Sequence, residues 1–112
     1  MSIQNADYSS IDFEEMAKSI GLKAKHIPML VGVFVEESTE ILNNLELAVN
    51  NQNYESIKVE AHSIKGSAGN LKFNEVYEMA KEMELSAASS QSDFDYQGYF
   101  NAIKSAIATI PS

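Results

Sequence analysis

The chain contains no cysteine and no arginine. The first absence excludes a disulfide framework and the common cysteine-based zinc sites, and it leaves the redox compartment open. The second removes a side chain that grips phosphate backbones, and with a net charge of −8 it argues against a nucleic-acid partner. No apolar run approaches the roughly 18 residues a membrane span needs. The opening "MSIQNADYSS" has neither the basic segment nor the apolar core of a secretory signal. A cytoplasmic protein with no membrane partner is therefore expected. Also missing are a glycine-rich nucleotide loop, an acidic metal pocket readable from spacing, and any internal repeat or low-complexity tract.

What remains is 112 residues with 45% hydrophobic and 21% charged content, the composition of one ordinary folded domain spanning 1–112. Helical periods dominate. After a tail over 1–8, Ser9 and Ser10 precede "IDFEEMAKSI", with acids in the first turn and Gly21 just past the end, which predicts a capped short helix over about 9–20. Pro28 opens a second helix, 28–50, whose apolar stripe is Leu30, Val31, Phe34, Ile41, Leu45 and Val49. The polar turn "NNQN" leads to a third, 53–70, with Tyr54, Ile57, Ala61, Ile64, Ala68 and Leu71 on one seam. A fourth, 74–89, carries Val76, Ala80, Met83 and Ala87. A fifth, 93–110, follows a capping box read from Ser92 and Asp95. Short loops between four long helices predict an all-α fold, an antiparallel up-down four-helix bundle with a short additional N-terminal helix at one end.

Within the third helix lies "AHSIKGSAGNL", Ala61 to Leu71. At 100° per residue the seam sits about 130° from His62, while Glu55, Lys58, Lys65, Gly66 and Gly69 fall within roughly 60° of it. His62 therefore faces outward. Gly66 and Gly69 follow it at one and two turns, and each weakens the helix by about 1 kcal/mol relative to alanine. Close helix packing would explain them, but the seam runs along the other side. Bare backbone beside the imidazole would instead admit another macromolecule. Of the eight lysines, Lys58, Lys65, Lys72 and Lys81 surround this stretch and invert the charge locally. His26, before the second helix, has no notable neighbours.

The stretch resembles the signature of histidine-containing phosphotransfer domains, in which a histidine is followed by a hydrophobic residue, lysine, glycine, small residues and a further hydrophobic residue. The likeness extends through "FVEESTEILNNLELAV" and "VYEMAKEMELSAAS" to the closing helix. It implies a phosphocarrier in which His62 is the phosphorylated nucleophile, Lys65 stabilises the phosphoryl oxygens, Gly66 is the small residue beside the ring and Ser67 the small polar residue near it. Lys58 and Gly69 complete the phosphoryl- or partner-facing surface. Glu84, 22 residues beyond His62, stands where some members have Glu and others Gln, and would accept a hydrogen bond from the imidazole Nδ1–H. Otherwise it is an ordinary solvated glutamate of "EMAKEME". One departure is Lys72, where many members have glycine, which leaves the shape of the following turn open and adds a charge nearby.

The chemistry such a site needs is simple. Imidazole as a functional group, with an ordinary pKa of about 6.5, is mostly unprotonated near neutral pH and so nucleophilic. The chain is expected to bind no cofactor or metal and to lack autokinase activity, working only with a partner. That partner is a receiver domain of a response regulator or hybrid histidine kinase, which brings the aspartate and its magnesium. A monomer is expected, and the N-terminus and full set of helices favour a separate chain. Two other readings are a bundle that binds a receiver domain without phosphotransfer, and a histidine metal site. For the latter, His26 lacks a second ligand at a recognised spacing.

Overall fold

Aspartate or asparagine at the starts of three helices, and a left-handed residue after four of them, set most boundaries of the bundle. The computed structural model describes residues 3–111. Its helices are α1, Phe13–Ile20; α2, Ile27–Asn50, entered through a single 3-10 turn at Ala24–His26; α3, Tyr54–Asn70; α4, Asn74–Ala88; and α5, Tyr96–Ala108. The described residues contain no strand. Helices α2 to α5 pack in chain order, with α5 closing back on α2, and α1 lies against one end of α2. None of them is long and apolar enough to cross a membrane.

The starts of α1 and α5 differ from the sequence expectation. Helix α1 begins at Phe13 rather than near Ser9, because the Asp12 carboxylate accepts the backbone N–H groups of Glu14 and Glu15. Ser9 is occupied in an earlier turn, its N–H donating to Asp7. Helix α5 begins at Tyr96, and the cap is Asp95 itself, which accepts from the Gly98 N–H at 2.9 Å. The predicted Ser92–Asp95 box does not form. Instead Phe94 stacks against Tyr96 and Tyr99 at 4.9 and 4.4 Å, and the Tyr96 hydroxyl donates to Gln91 C=O, so an aromatic cluster pins the loop before the helix starts.

Four helix ends share one closure. The N–H groups of Leu22, Asn53, Phe73 and Gln91 reach back to the C=O groups of Ala17, Ala48, Ala68 and Ser86. The residue before each donor is left-handed: Gly21, Gln52, Lys72 and Ser90. Lys72, at φ 63°, thus takes the conformation a glycine adopts freely, at a cost of about 1 kcal/mol. The turn after α3 is tight with lysine in it, and Lys72 lies ten residues, or roughly 15 Å of helix rise, beyond His62.

The core stripe of α2 is rotated slightly from expectation. Val31, Phe34 and Leu45 are buried, but Leu42 and Ala48 replace Ile41 and Val49 at the centre, and Leu30 is only partly covered. Ser38 fills the gap in the stripe. It is buried because its hydroxyl donates to Phe34 C=O at 2.6 Å, leaving no unpaired polar group. Residues 1 and 2 of the expected tail lie outside the described residues. The rest is docked: the Tyr8 ring meets Phe73 at 4.7 Å, its hydroxyl donates to Glu75, and its N–H donates to Thr109.

Candidate functional site

Because Ala61, Ile64 and Ala68 bury the seam of α3, the opposite face is free to carry polar groups. His62 stands at its middle with a side chain 66% exposed. Its Nδ1 lies 2.8 Å from Glu84 Oε2 on α4. An ionised carboxylate can only accept, so Nδ1 carries a proton and, in the neutral ring, Nε2 keeps its lone pair. The other oxygen, Glu84 Oε1, is enclosed and meets the Lys65 ammonium at 2.7 Å. One carboxylate, 19% exposed, thus ties together the histidine and the lysine one turn beyond it. Burial pushes the Glu84 carboxyl up, but hydrogen bonds from Lys65 and then His62, with their charges, outweigh it and hold the group below its ordinary value.

That shift has a consequence for acid stability. A carboxylate whose folded-state pKa is depressed stabilises the fold above its unfolded pKa, and the contribution disappears as pH falls through the folded value. Wild type should therefore lose its advantage over Glu84→Gln as the pH falls below the ordinary carboxyl value of 4.5 and through the depressed folded value in a denaturant-unfolding series. A constant difference across that range would mean that Glu84 is not held ionised by its neighbours.

Of the other residues singled out by sequence, Gly66 is exposed, and a Cβ there would meet nothing within 4 Å. Gly69 has a packing reason that the helical wheel missed: a Cβ there would come within 3.2 Å of the Tyr77 ring on α4. Ser67 is not beside the imidazole. It turns toward α2, into a groove with Leu30, Val33, Phe34 and Leu71. Lys58 pairs with Glu55 at 3.2 Å and, with Val59, Ser63, Glu84 and His62, lines an open cleft between α3 and α4. Lys72 and Lys81 do not line that cleft.

Sequence reasoning passed over Ser63 and the apolar rim. Ser63 lines the cleft while its hydroxyl donates to Val59 C=O. Its only signal was adjacency to His62. Leu22 and Val33 border the groove at Ser67 and are nearly half exposed. Val33 could have been noticed as one of two valines of "VGVFV" that lie off the stripe, with Val35. Among the described residues no group of three or more His, Cys, Asp or Glu side chains is placed to hold a metal ion.

Comparison with known proteins gives one match. A family model described as the Hpt domain covers residues 29–110, from the first turn of α2 to two residues past α5. No curated protein and no solved structure matches the chain.

Proposed function

The chain belongs to the Hpt domain family, whose members carry out histidine phosphotransfer in two-component systems, and on that premise we propose that His62 accepts a phosphoryl group on Nε2 and exchanges it with an aspartate of a receiver domain. The observation that carries this reading is the 2.8 Å contact between Nδ1 and Glu84, which leaves Nε2 as the free nucleophile. In the forward step the Nε2 lone pair attacks phosphorus and the bond to the receiver's aspartyl oxygen breaks, the carboxylate leaving with the electron pair. The ring then carries a positive charge between Nε2–P and Nδ1–H, and Glu84 is placed to stabilise it. The reverse step restores the neutral imidazole. The receiver supplies the aspartate and its magnesium, so this chain holds half of the site.

Lys65 has two parts in this scheme. It fixes the Glu84 carboxylate before transfer, and from one turn away it can face oxygens whose negative charge is spread in the transition state. Replacing Lys65 with Ala should slow transfer on the order of tenfold and shorten the life of the phosphorylated form, since the nucleophile remains while a positioned cation is lost. Unchanged kinetics would leave Lys65 with its pairing to Glu84 and no part in transfer. The direct test of the proposal is incubation with receiver domains carrying labelled phosphate. Acid-labile, alkali-stable label should appear on this chain at His62. A chain that binds a receiver yet takes no label from any, nor from phosphoramidate, is a binding module instead.

A further inference from the structure

The phosphotransfer reading places more negative charge beside His62 than Lys65 alone offsets, because Lys65 also serves Glu84. Lys65 is neutralised by Glu84 at 2.7 Å in a largely covered pair. Lys58 is one turn on the other side of His62, and among the described residues its ion-pair partner is Glu55, a residue three before it with a side chain 74% exposed. Such an exposed pair at 3.2 Å is weak and readily exchanged. Helical side chains lean toward the N-terminus of their helix, so the His62 imidazole lies over the turn of Lys58 and Val59 rather than over Gly66. The cleft that opens there brings Lys58, His62 and Ser63 to one wall.

Resting on the reading above, we propose that Lys58 is a phosphoryl-binding residue of this site: when Nε2 is phosphorylated, the Lys58 ammonium leaves Glu55 and pairs with the phosphoryl oxygens in the cleft between α3 and α4. Charge makes the exchange favourable. The cleft already contains the carboxylates of Glu55 and Glu84, and a phosphoryl group brings more negative charge. The Lys58 ammonium offsets that repulsion from the side of the preceding turn, while Lys65, still paired with Glu84, faces the oxygens from the other. The two sides of His62 then have separate uses. The turn before it holds the phosphoryl group, and the bare turn after it admits the partner.

The test uses phosphoramidate, which needs no partner: Nε2 attacks phosphorus, the P–N bond breaks and ammonia leaves. Labelling rate and the half-life of the phosphorylated chain are measured for wild type, Lys58→Met, Lys58→Arg and Glu55→Gln. Lys58→Met should label about fivefold more slowly at low salt, with the gap closing near 1 M salt, where the Debye length is roughly 3 Å. Lys58→Arg should recover most of the loss. Glu55→Gln, which frees Lys58, should label about as fast as wild type or up to about twofold faster. Wild-type rates and half-lives in Lys58→Met overturn this proposal alone, as does a Glu55→Gln defect equal to that of Lys58→Met, which would point to the pair and not the lysine charge. A wild-type chain that takes no label overturns the phosphotransfer reading itself, and this proposal with it.

Discussion

His62→Gln should take no acid-labile phosphate from either a phosphorylated receiver or phosphoramidate, while melting within a few degrees of wild type. The loss should be complete because an amide offers no nucleophilic lone pair in place of Nε2. The fold should survive because the side chain is 66% exposed on the face of α3 opposite Ala61, Ile64 and Ala68, so no core contact is lost. Exposed sites of this kind shift stability by within about 0.5 kcal/mol. The glutamine amide can still donate to Glu84, which keeps that carboxylate and Lys65 in place and confines the change to the reacting atom. Labelling by both donors and a thermal melt read out the two halves of the expectation. Persistent label on the variant would move the phosphorylated position elsewhere, with His26 the remaining histidine.

The residues explain which parts of this arrangement could be read in advance. Periodicity fixes the direction of a side chain around its own helix, so the outward position of His62 followed from the seam of α3 alone. It does not say which neighbour a face meets. Glu78, Glu82 and Glu84 all sit in "EMAKEME", yet Glu82 is buried and accepts from the Tyr99 hydroxyl on α5, while Glu84 turns to α3. Period alone sets Glu82 and Glu84 on opposite faces of α4, but only packing decides which face meets α3, and it was the family resemblance that selected Glu84. The same limit explains Gly69 and Ser67: one lies under a ring of α4 and the other in a groove against α2, and neither neighbour is encoded within α3. Buried Ser38 was missed because hydropathy assigns a hydroxyl to solvent, whereas a helix can satisfy it with its own carbonyl. The helix starts were misplaced for a related reason. Several residues near each start could cap it, and the choice of Asp12 over the serines, and of Asp95 over Ser92, depends on how the preceding loop is held.

Gly66→Gln separates the two explanations of a glycine in the middle of a helix. Its φ is not among the positive values of the described residues, and a Cβ there meets nothing within 4 Å, so the backbone and the surroundings both accept a side chain. Removing glycine from an exposed helical position should stabilise the fold by up to about 1 kcal/mol, through the smaller backbone entropy of the unfolded chain. A side chain at 66 leans toward the N-terminus of α3, and a residue four positions on lies over the one before it, so the glutamine amide covers the His62 ring. Phosphotransfer from a receiver, which must bring an aspartate against Nε2, should fall by an order of magnitude or more on this steric ground. Labelling by phosphoramidate, which approaches as a small molecule, should fall much less. Gly69→Gln provides the contrast: its Cβ would lie 3.2 Å from the Tyr77 ring, which must shift to admit it, so this variant should gain less stability than Gly66→Gln. A Gly66→Gln chain that unfolds would show that this glycine too serves packing, and one that exchanges phosphate with a receiver at the wild-type rate would show that the bare turn is not where the partner enters.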